Sequence, residues 1–215
     1  MNSRTGLILQ ILVVAASIAY SLYMAGHLPA VVPTHWGLNG KPDAYGAVAT
    51  DLWLMPGMEA FIVVLTLLLP VLSPKRYEVT RFAKTYAYTM LLVTVMMAAL
   101  HFVILGASAG GKLDIGRAIT TILFAFFMLL GNVLGKVKQN FFVGIRTPWT
   151  LADGRVWDAT HREAGHLWLV GGLVGTFLGL AGVPAMILMP IFLVLALVPV
   201  VRSYFIYRRI AGREV

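Results

Sequence analysis

The chain is divided by polar connections into six apolar stretches of helical length. They cover residues 6–25, 53–72, 86–106, 118–135, 166–181 and 184–201. A bilayer core about 30 Å thick needs about 20 predominantly apolar residues in helical conformation. Long segments of alternating polar and apolar residues, which transmembrane β-strands require, do not occur. The pattern predicts an all-α membrane protein with six transmembrane helices in one bundle.

Composition supports this class. Hydrophobic residues make up 59% of the 215 residues and charged residues only 12%. A soluble domain carries about 25% charged residues, so a soluble enzyme and a disordered chain are both excluded. The chain has no cysteine, which excludes disulfides, cysteine nucleophiles, cysteine zinc sites and cysteine lipidation.

The net charge of +8 is distributed unevenly between the two sides of the predicted bundle. One side carries fourteen basic residues: Arg4, Lys75, Arg76, Arg81, Lys84, Lys136, Lys138, Arg146, Arg155, Arg162, Arg202, Arg208, Arg209 and Arg213. The other carries three: Lys41, Lys112 and Arg117. Because basic loops stay in the cytoplasm, we predict that both termini are cytoplasmic. The excess of positive charge therefore does not indicate direct nucleic-acid binding.

This orientation divides the chain into three regions. Residues 1–60 contain the first helix, an external loop at 26–52 and the start of the second helix. Residues 53–135 contain helices 2–4, and residues 136–215 contain a cytoplasmic loop with helices 5 and 6. The first stretch could instead be a cleaved signal peptide, since Ser17 and Ala19 give a small-x-small pattern. Its apolar run is longer than the usual 7–15 residues of a signal core, which favours a retained helix.

The external loop between helices 1 and 2 is rich in proline and glycine, which excludes a helix and predicts an ordered cap. Residues 31–36 and 44–48 could pair as a hairpin across the turn dipeptide Asn39-Gly40. Within it, His35 and Asp43 could bind a metal or a ligand. The alternative, which we favour over metal binding, is a folded plug packed by Trp36 and Tyr45.

The cytoplasmic loop is too aromatic for a simple connector. Its rings suit the membrane interface and belong to Phe141, Phe142, Trp149 and Trp157. Two capping-box patterns begin at Thr150 and Thr160, followed by Asp153 and Glu163 respectively. They predict a short amphipathic helix from about residue 151 and then entry into the fifth span. One continuous helix is the alternative.

Ionisable residues within the spans are costly and usually face protein or water. Glu59 and His101 both lie about 8–9 Å from the outer end of their helices, so they could pair beneath the external loop. They could line a functional polar pocket, or each could form a structural hydrogen bond between helices. Gly171, Gly175 and Gly179 follow a G-x-x-x-G spacing, which we expect to pack the fifth helix within the bundle.

His161, Glu163 and His166 invite comparison with a zinc-protease helix, but the spacing is wrong. Two histidines on one helix face stand four residues apart, whereas these stand five apart, about 140° around the helix. We therefore predict no metal and no cofactor. The expected role of His161, Arg162 and Arg146 is a hydrogen-bonded scaffold or a docking face for a cytoplasmic partner.

The cytoplasmic loop and the residues that follow it contain a longer pattern that is specific enough to compare with known families. Its residues are Asn140, Gly144, Ile145, Arg146, Thr147, Pro148, Trp149, Thr150, Leu151, Trp157, Thr160, His161 and Gly165. This run resembles the signature of the SdpI family, bacterial membrane proteins of the toxin-immunity type. The upstream run from Leu28 to Asp43, with Pro33, His35 and Trp36, resembles a domain of unknown function that often precedes it.

The resemblance implies a non-enzymatic protein of the cytoplasmic membrane that protects the cell from a membrane-active peptide toxin. It also implies a possible signal relay, in which a cytoplasmic repressor is held at the membrane. We expect toxin or partner contacts at His35, Asp43, Glu59, His101, Asn140, Arg146, Thr150, Trp157, His161 and His166. The alternatives are a small-solute or proton-coupled transporter and a metal-dependent membrane enzyme.

Overall fold

The computed structural model describes residues 2–37, 40–75, 78–111 and 113–211. Its helices are α1 (Ser3–Ala25), α2 (Val48–Leu72), α3 (Ala83–Ser108), α4 (Ile115–Leu134), α5 (Pro148–Ala152), α6 (Gly154–Leu180) and α7 (Ala185–Ala211), with a 3₁₀ turn at Val79–Phe82 before α3. Strands β1 (Val31–Trp36) and β2 (Pro42–Ala47) lie between α1 and α2. Asn39, Arg76, Lys112 and Arg213, which entered the turn and charge arguments, lie outside the described residues.

Six of the described helices are long and apolar enough to cross a membrane: α1, α2, α3, α4, α6 and α7. The predicted six-helix architecture is therefore confirmed. The outward faces of these helices are strongly apolar. Val71, Leu180 and Phe177 are 80%, 77% and 69% exposed, as suits side chains that face lipid.

The fifth span begins much earlier than its apolar run. Helix α6 begins at Gly154, twelve residues before the start predicted at residue 166. Its first half is polar on the outside but buries Val156, Trp157 and His161 against the preceding loop. Because those contacts are made to protein rather than lipid, the hydropathy pattern did not reveal this part of the helix.

The two predicted capping boxes are wrong. Thr147 caps α5, and Thr150 closes that capping box from the third helical position rather than starting one. Helix α6 is capped by Asp153, whose carboxylate accepts a hydrogen bond from the Arg155 backbone N–H at 2.8 Å. Thr160 lies within α6 and is buried.

The predicted hairpin is confirmed, although its second strand begins two residues early. Strands β1 and β2 are antiparallel, with Val31 opposite Ala47 and Trp36 opposite Pro42. Val32 is fully buried and fixes the hairpin on the bundle, but Tyr45 is 63% exposed. The expectation that Tyr45 packs a plug is therefore wrong, because its strand faces away from the helices.

Helices α4 and α6 pack through glycines that let the two backbones approach closely. A Cβ on Gly131 would lie 2.7 Å from the Gly165 carbonyl oxygen, and one on Gly165 would lie 2.9 Å from the Gly131 carbonyl oxygen. Gly175 and Gly179 face Phe124 and Thr121 of α4. Gly171 instead faces Leu195 of α7, so the G-x-x-x-G glycines serve two interfaces within the bundle.

The α4–α6 contact predicts a sharp difference between two glycine-to-alanine changes. Gly131→Ala should destabilise the protein by about 1–3 kcal/mol, because its methyl group meets backbone that cannot rotate away. Gly57→Ala is the matched control, since no atom lies within 4 Å of its added Cβ. Alanine is also the better helix former by about 1 kcal/mol. Thermal unfolding in detergent should show a loss of stability only for Gly131→Ala; equal melting temperatures would contradict this packing.

Candidate functional site

The connection between α4 and α6, residues 136–153, is called the signature loop here. Asn140 organises its first half and is fully buried. Its Nδ2 donates hydrogen bonds to the carbonyl oxygens of Lys138 (2.8 Å) and Val143 (2.9 Å). Its Oδ1 accepts from the backbone N–H groups of Phe142 (2.8 Å) and Val143 (2.7 Å). Both ends of the amide are thus used to close the loop on itself.

Beneath the loop, Trp157 and His161 stack one helical turn apart on α6. Their ring centroids are 4.0 Å apart at an interplanar angle of 17°, and both side chains are fully buried. Trp157 Nε1 donates to the Val137 carbonyl oxygen at 2.8 Å. The stack therefore joins α6 to the segment that leaves α4.

Both ring nitrogens of His161 are engaged. Nε2 accepts a hydrogen bond from the Ile145 backbone N–H at 2.9 Å, so it must be unprotonated. Nδ1 lies 2.9 Å from the Trp157 carbonyl oxygen and must donate to it. The contacts define a neutral ring protonated at Nδ1, with no lone pair left to bind a metal.

Gly144 lets the loop cross directly over this stack. Its φ is +120°, a conformation that side chains other than glycine rarely adopt. An added Cβ would come within 3.1 Å of the Trp157 ring and closer still to the His161 ring. The glycine is therefore required by backbone conformation and by space.

The second half of the loop is fastened to α7. Thr150 Oγ1 donates to the Ile145 carbonyl oxygen at 2.8 Å and accepts from the Thr147 backbone N–H at 2.9 Å. Trp149 Nε1 donates to Ser203 Oγ on α7 at 2.6 Å. The loop is thus tied to α4, α6 and α7 together.

In this part of the chain, two predicted site residues are exposed, Arg146 in the signature loop and His166 on α6. Arg146 donates to the Phe141 carbonyl oxygen, and Asp158 lies exposed on α6. His166 is also exposed and makes no hydrogen bond within the described residues. It does not join His161, because five residues along a helix place it on another face.

A basic surface surrounds the loop. Its exposed residues are Lys136, Lys138, Arg146, Arg155, Arg162, Arg202, Arg208 and Arg209. Some are partly neutralised: Arg202 pairs with Glu163, and Arg155 pairs with Asp153 at 2.7 Å. The Arg155 side chain holds the pKa of the Asp153 carboxyl below its usual value. The surface remains strongly cationic.

The other end of the bundle contains a buried polar layer between α1, α2 and α3. Ser17 Oγ donates to Glu59 Oε1 at 3.0 Å. Ser21 Oγ donates to the Leu52 carbonyl oxygen at 2.6 Å and lies 2.9 Å from His101 Nε2. Glu59 and His101 are fully buried. Both side chains are thus bonded to serines of α1, and the direct pair that the sequence suggested is not among their described hydrogen bonds.

A second layer continues the same line of contact deeper in the bundle. Gln10 Nε2 donates to Thr66 Oγ1 at 3.2 Å and to Thr94 Oγ1 at 3.3 Å. On each of α1, α2 and α3, a residue of the second layer lies seven positions from a residue of the first. The two layers are therefore separated by a rise of about 10.5 Å along the helices. We call the two layers the polar seam; its members are Gln10, Ser17, Ser21, Glu59, Thr66, Thr94 and His101. Sequence reasoning missed the serines, the threonines and Gln10 as members of a site, although uncharged polar residues within apolar helices were the available signal.

On the hairpin, His35 pairs with Asp43 across the two strands, and both side chains are more than half exposed. No group of three or more potential metal ligands occurs in the described parts of the chain. The His35–Asp43 pair joins β1 to β2 and so helps to order the cap.

These features define a class: a multi-pass helical membrane protein with a rigid connecting loop at one end and a buried polar seam near the other. Residues 136–203 match the SdpI/YfhL protein family, and residues 12–59 match a domain of unknown function, DUF1648. The chain is 27% identical over 207 residues to the Immunity protein SdpI of Bacillus subtilis (strain 168), covering 95% of this chain and 97% of that protein. No solved structure matches. The resemblance to the SdpI family is thus confirmed.

The signature loop predicts that its central amide cannot be replaced by a carboxylate. Asn140→Asp would turn two donated hydrogen bonds into repulsion between a buried carboxylate and two carbonyl oxygens. We expect a loss of about 2–3 kcal/mol and faster protease cleavage within residues 136–153. Asp158→Asn makes the reverse exchange at an exposed position and should change neither. If both variants resist protease like the wild type, Asn140 does not organise the loop.

Proposed function

We propose that this chain is an SdpI-like immunity protein of the cytoplasmic membrane, which protects its cell from a membrane-active peptide toxin without catalysing a reaction. The observation that supports this most is the signature loop. The residues that carry the family resemblance are those that close, cap and pack this loop. A loop stabilised at so many points presents a fixed surface, which suits recognition of a partner.

In the orientation we propose, both termini and the signature loop are cytoplasmic, and the hairpin is external. The concentration of exposed basic residues around the loop supports this orientation. The toxin would meet the hairpin and the outer layer of the polar seam. The basic surface of the loop would be available to an acidic face of a cytoplasmic repressor, which would permit the signal relay.

An enzymatic alternative receives little support from the geometry. A general base needs a free lone pair within reach of substrate, and both nitrogens of His161 are already bonded. Of the two carboxylates nearest to it in sequence, Glu163 pairs with Arg202 and Asp158 lies on the exposed side of α6. The side chains that the motif supplies are used to build the loop.

Protection can be tested in Bacillus subtilis by replacing its SdpI with this chain and challenging the cells with the toxin to which that protein confers immunity. Arg146→Lys should reduce protection about tenfold or more, since lysine lacks the planar fork that binds a carboxylate. Expression and melting temperature should stay at the wild-type level, because Arg146 is exposed.

The matched control is Arg162→Lys at another exposed arginine, on α6. It keeps the charge of the basic surface and should protect fully. If Arg146→Lys also protects fully, the loop contributes only charge. If the wild-type chain gives no protection, a chimera is made in which residues 26–52 are replaced by the corresponding segment of the Bacillus protein. This chimera tests whether only the specificity for the toxin differs. Failure of both the chain and the chimera would contradict the immunity function.

The proposed orientation makes a separate prediction. A reporter fused after Val215 should be active only in a form that works in the cytoplasm, and one inserted between Gly26 and His27 only in a form that works outside. The excess of lysine and arginine at one end provides the physical reason. External activity of the carboxy-terminal fusion would overturn the orientation without affecting the fold.

A further inference from the structure

Two buried polar atoms in the outer layer of the seam have no hydrogen-bond partner among the described residues: Glu59 Oε2 and His101 Nδ1. Both side chains are fully buried within membrane-spanning helices. An unpaired buried donor or acceptor costs about 1–3 kcal/mol. Such groups in a native fold call for a ligand or a function.

The tautomer of His101 follows from its neighbour. The single hydroxyl proton of Ser21 is donated to the Leu52 carbonyl oxygen at 2.6 Å. The 2.9 Å contact between Ser21 Oγ and His101 Nε2 therefore needs a proton on Nε2. In the neutral ring, Nδ1 then carries a lone pair and is an unused acceptor.

Glu59 has the complementary property. Its Oε1 accepts a hydrogen bond from Ser17. A carboxylate in this apolar setting would leave the charge on Oε2 unpaired, whereas a neutral carboxyl carries its proton there and is an unused donor. Ser17 and Ser21 are one helical turn apart on α1, so they hold the donor and the acceptor in neighbouring turns.

We propose that Glu59 and His101 form an intramembrane proton-binding site in which one proton is shared between Glu59 Oε2 and His101 Nδ1 through one bound water. On transfer, the O–H bond of Glu59 breaks and an N–H bond forms at Nδ1, which gives a carboxylate beside an imidazolium. The net charge does not change, so the exchange avoids creating an isolated charge in the membrane. The site does not depend on the immunity function.

Other titratable groups face this site. Tyr20 of α1 meets the His101 ring edge-on, at 6.2 Å between centroids. Asp51 lies two turns before Glu59 on α2, and its Oδ2 is buried without a partner within the described residues. Neither makes a described hydrogen bond to Glu59 or His101. The matched variants below therefore separate the Glu59–His101 pair from them.

The test uses the full-length protein in lipid nanodiscs and dicyclohexylcarbodiimide, an apolar reagent that modifies protonated carboxyl groups within membranes. Labelling would be followed from about pH 5 to about pH 9, a range that brackets the ordinary titration of histidine, with peptide mass spectrometry to locate the adduct. We expect an adduct at Glu59 that is absent in Glu59→Gln.

His101→Gln keeps a donor toward Ser21 but removes the proton acceptor. Its labelling profile should move upward by about one pH unit or more, because the proton can no longer leave Glu59 for the imidazole. Tyr20→Phe and Asp51→Asn should leave the labelling profile unchanged.

The infrared carbonyl band of a protonated carboxyl provides a second measurement that needs no reagent access. The band of Glu59 is identified by its loss in Glu59→Gln. The proposal is overturned if this band is absent across the range, or if His101→Gln leaves its pH dependence unchanged.

Discussion

The hydrogen bond from the Ile145 backbone N–H to His161 Nε2 is the contact on which the signature-loop half of the molecule depends. It exists only because three other conditions hold. Trp157 stacks on the imidazole, Gly144 leaves room above it, and the Trp157 carbonyl oxygen fixes the tautomer. Together these contacts hold the loop between α4 and α6 against the first turns of α6. The exposed arginines that we assign to partner recognition then project from a fixed base.

The lipid bilayer imposes a different constraint on the half of the molecule that contains the polar seam. Within a bilayer, polar side chains must find partners inside the protein. Gln10, Ser17 and Ser21 of α1 do so against α2 and α3, and their spacing gives the three helices a common register. Hydrogen bonds of this kind average only about 0.6 kcal/mol each. Their main effect is therefore to specify which faces meet rather than to supply most of the stability.

Sequence reasoning predicted the features that depend on local pattern. The six helices, the hairpin and the internal packing of the fifth helix follow from hydropathy, turn residues and small-residue spacing. It failed where tertiary contacts decide. The polar start of α6 is buried against a loop, and Thr150 belongs to a cap whose first residue is Thr147. Glu59 and His101 are bonded to serines of α1 rather than to each other. Sequence did not predict this, because the depth of a residue along its helix can be read from sequence whereas rotation about the helix axis cannot.

Two regions match family models, residues 12–59 and residues 136–203. The first contains only part of the polar seam, and the second contains only part of the α4–α6 interface. The polar seam needs Thr94 and His101 of α3, and the α6 packing surface needs Gly131 of α4. Both helices lie in the unmatched segment between them. That segment is also the covalent route from the seam to the loop, since α4 leads directly to Val137, whose carbonyl oxygen accepts the Trp157 hydrogen bond. A displacement of α3 at the seam would thus act on the loop through the α3–α4 contact. This gives the middle region of the chain, residues 53–135, a physical role in any relay between the two sides of the membrane.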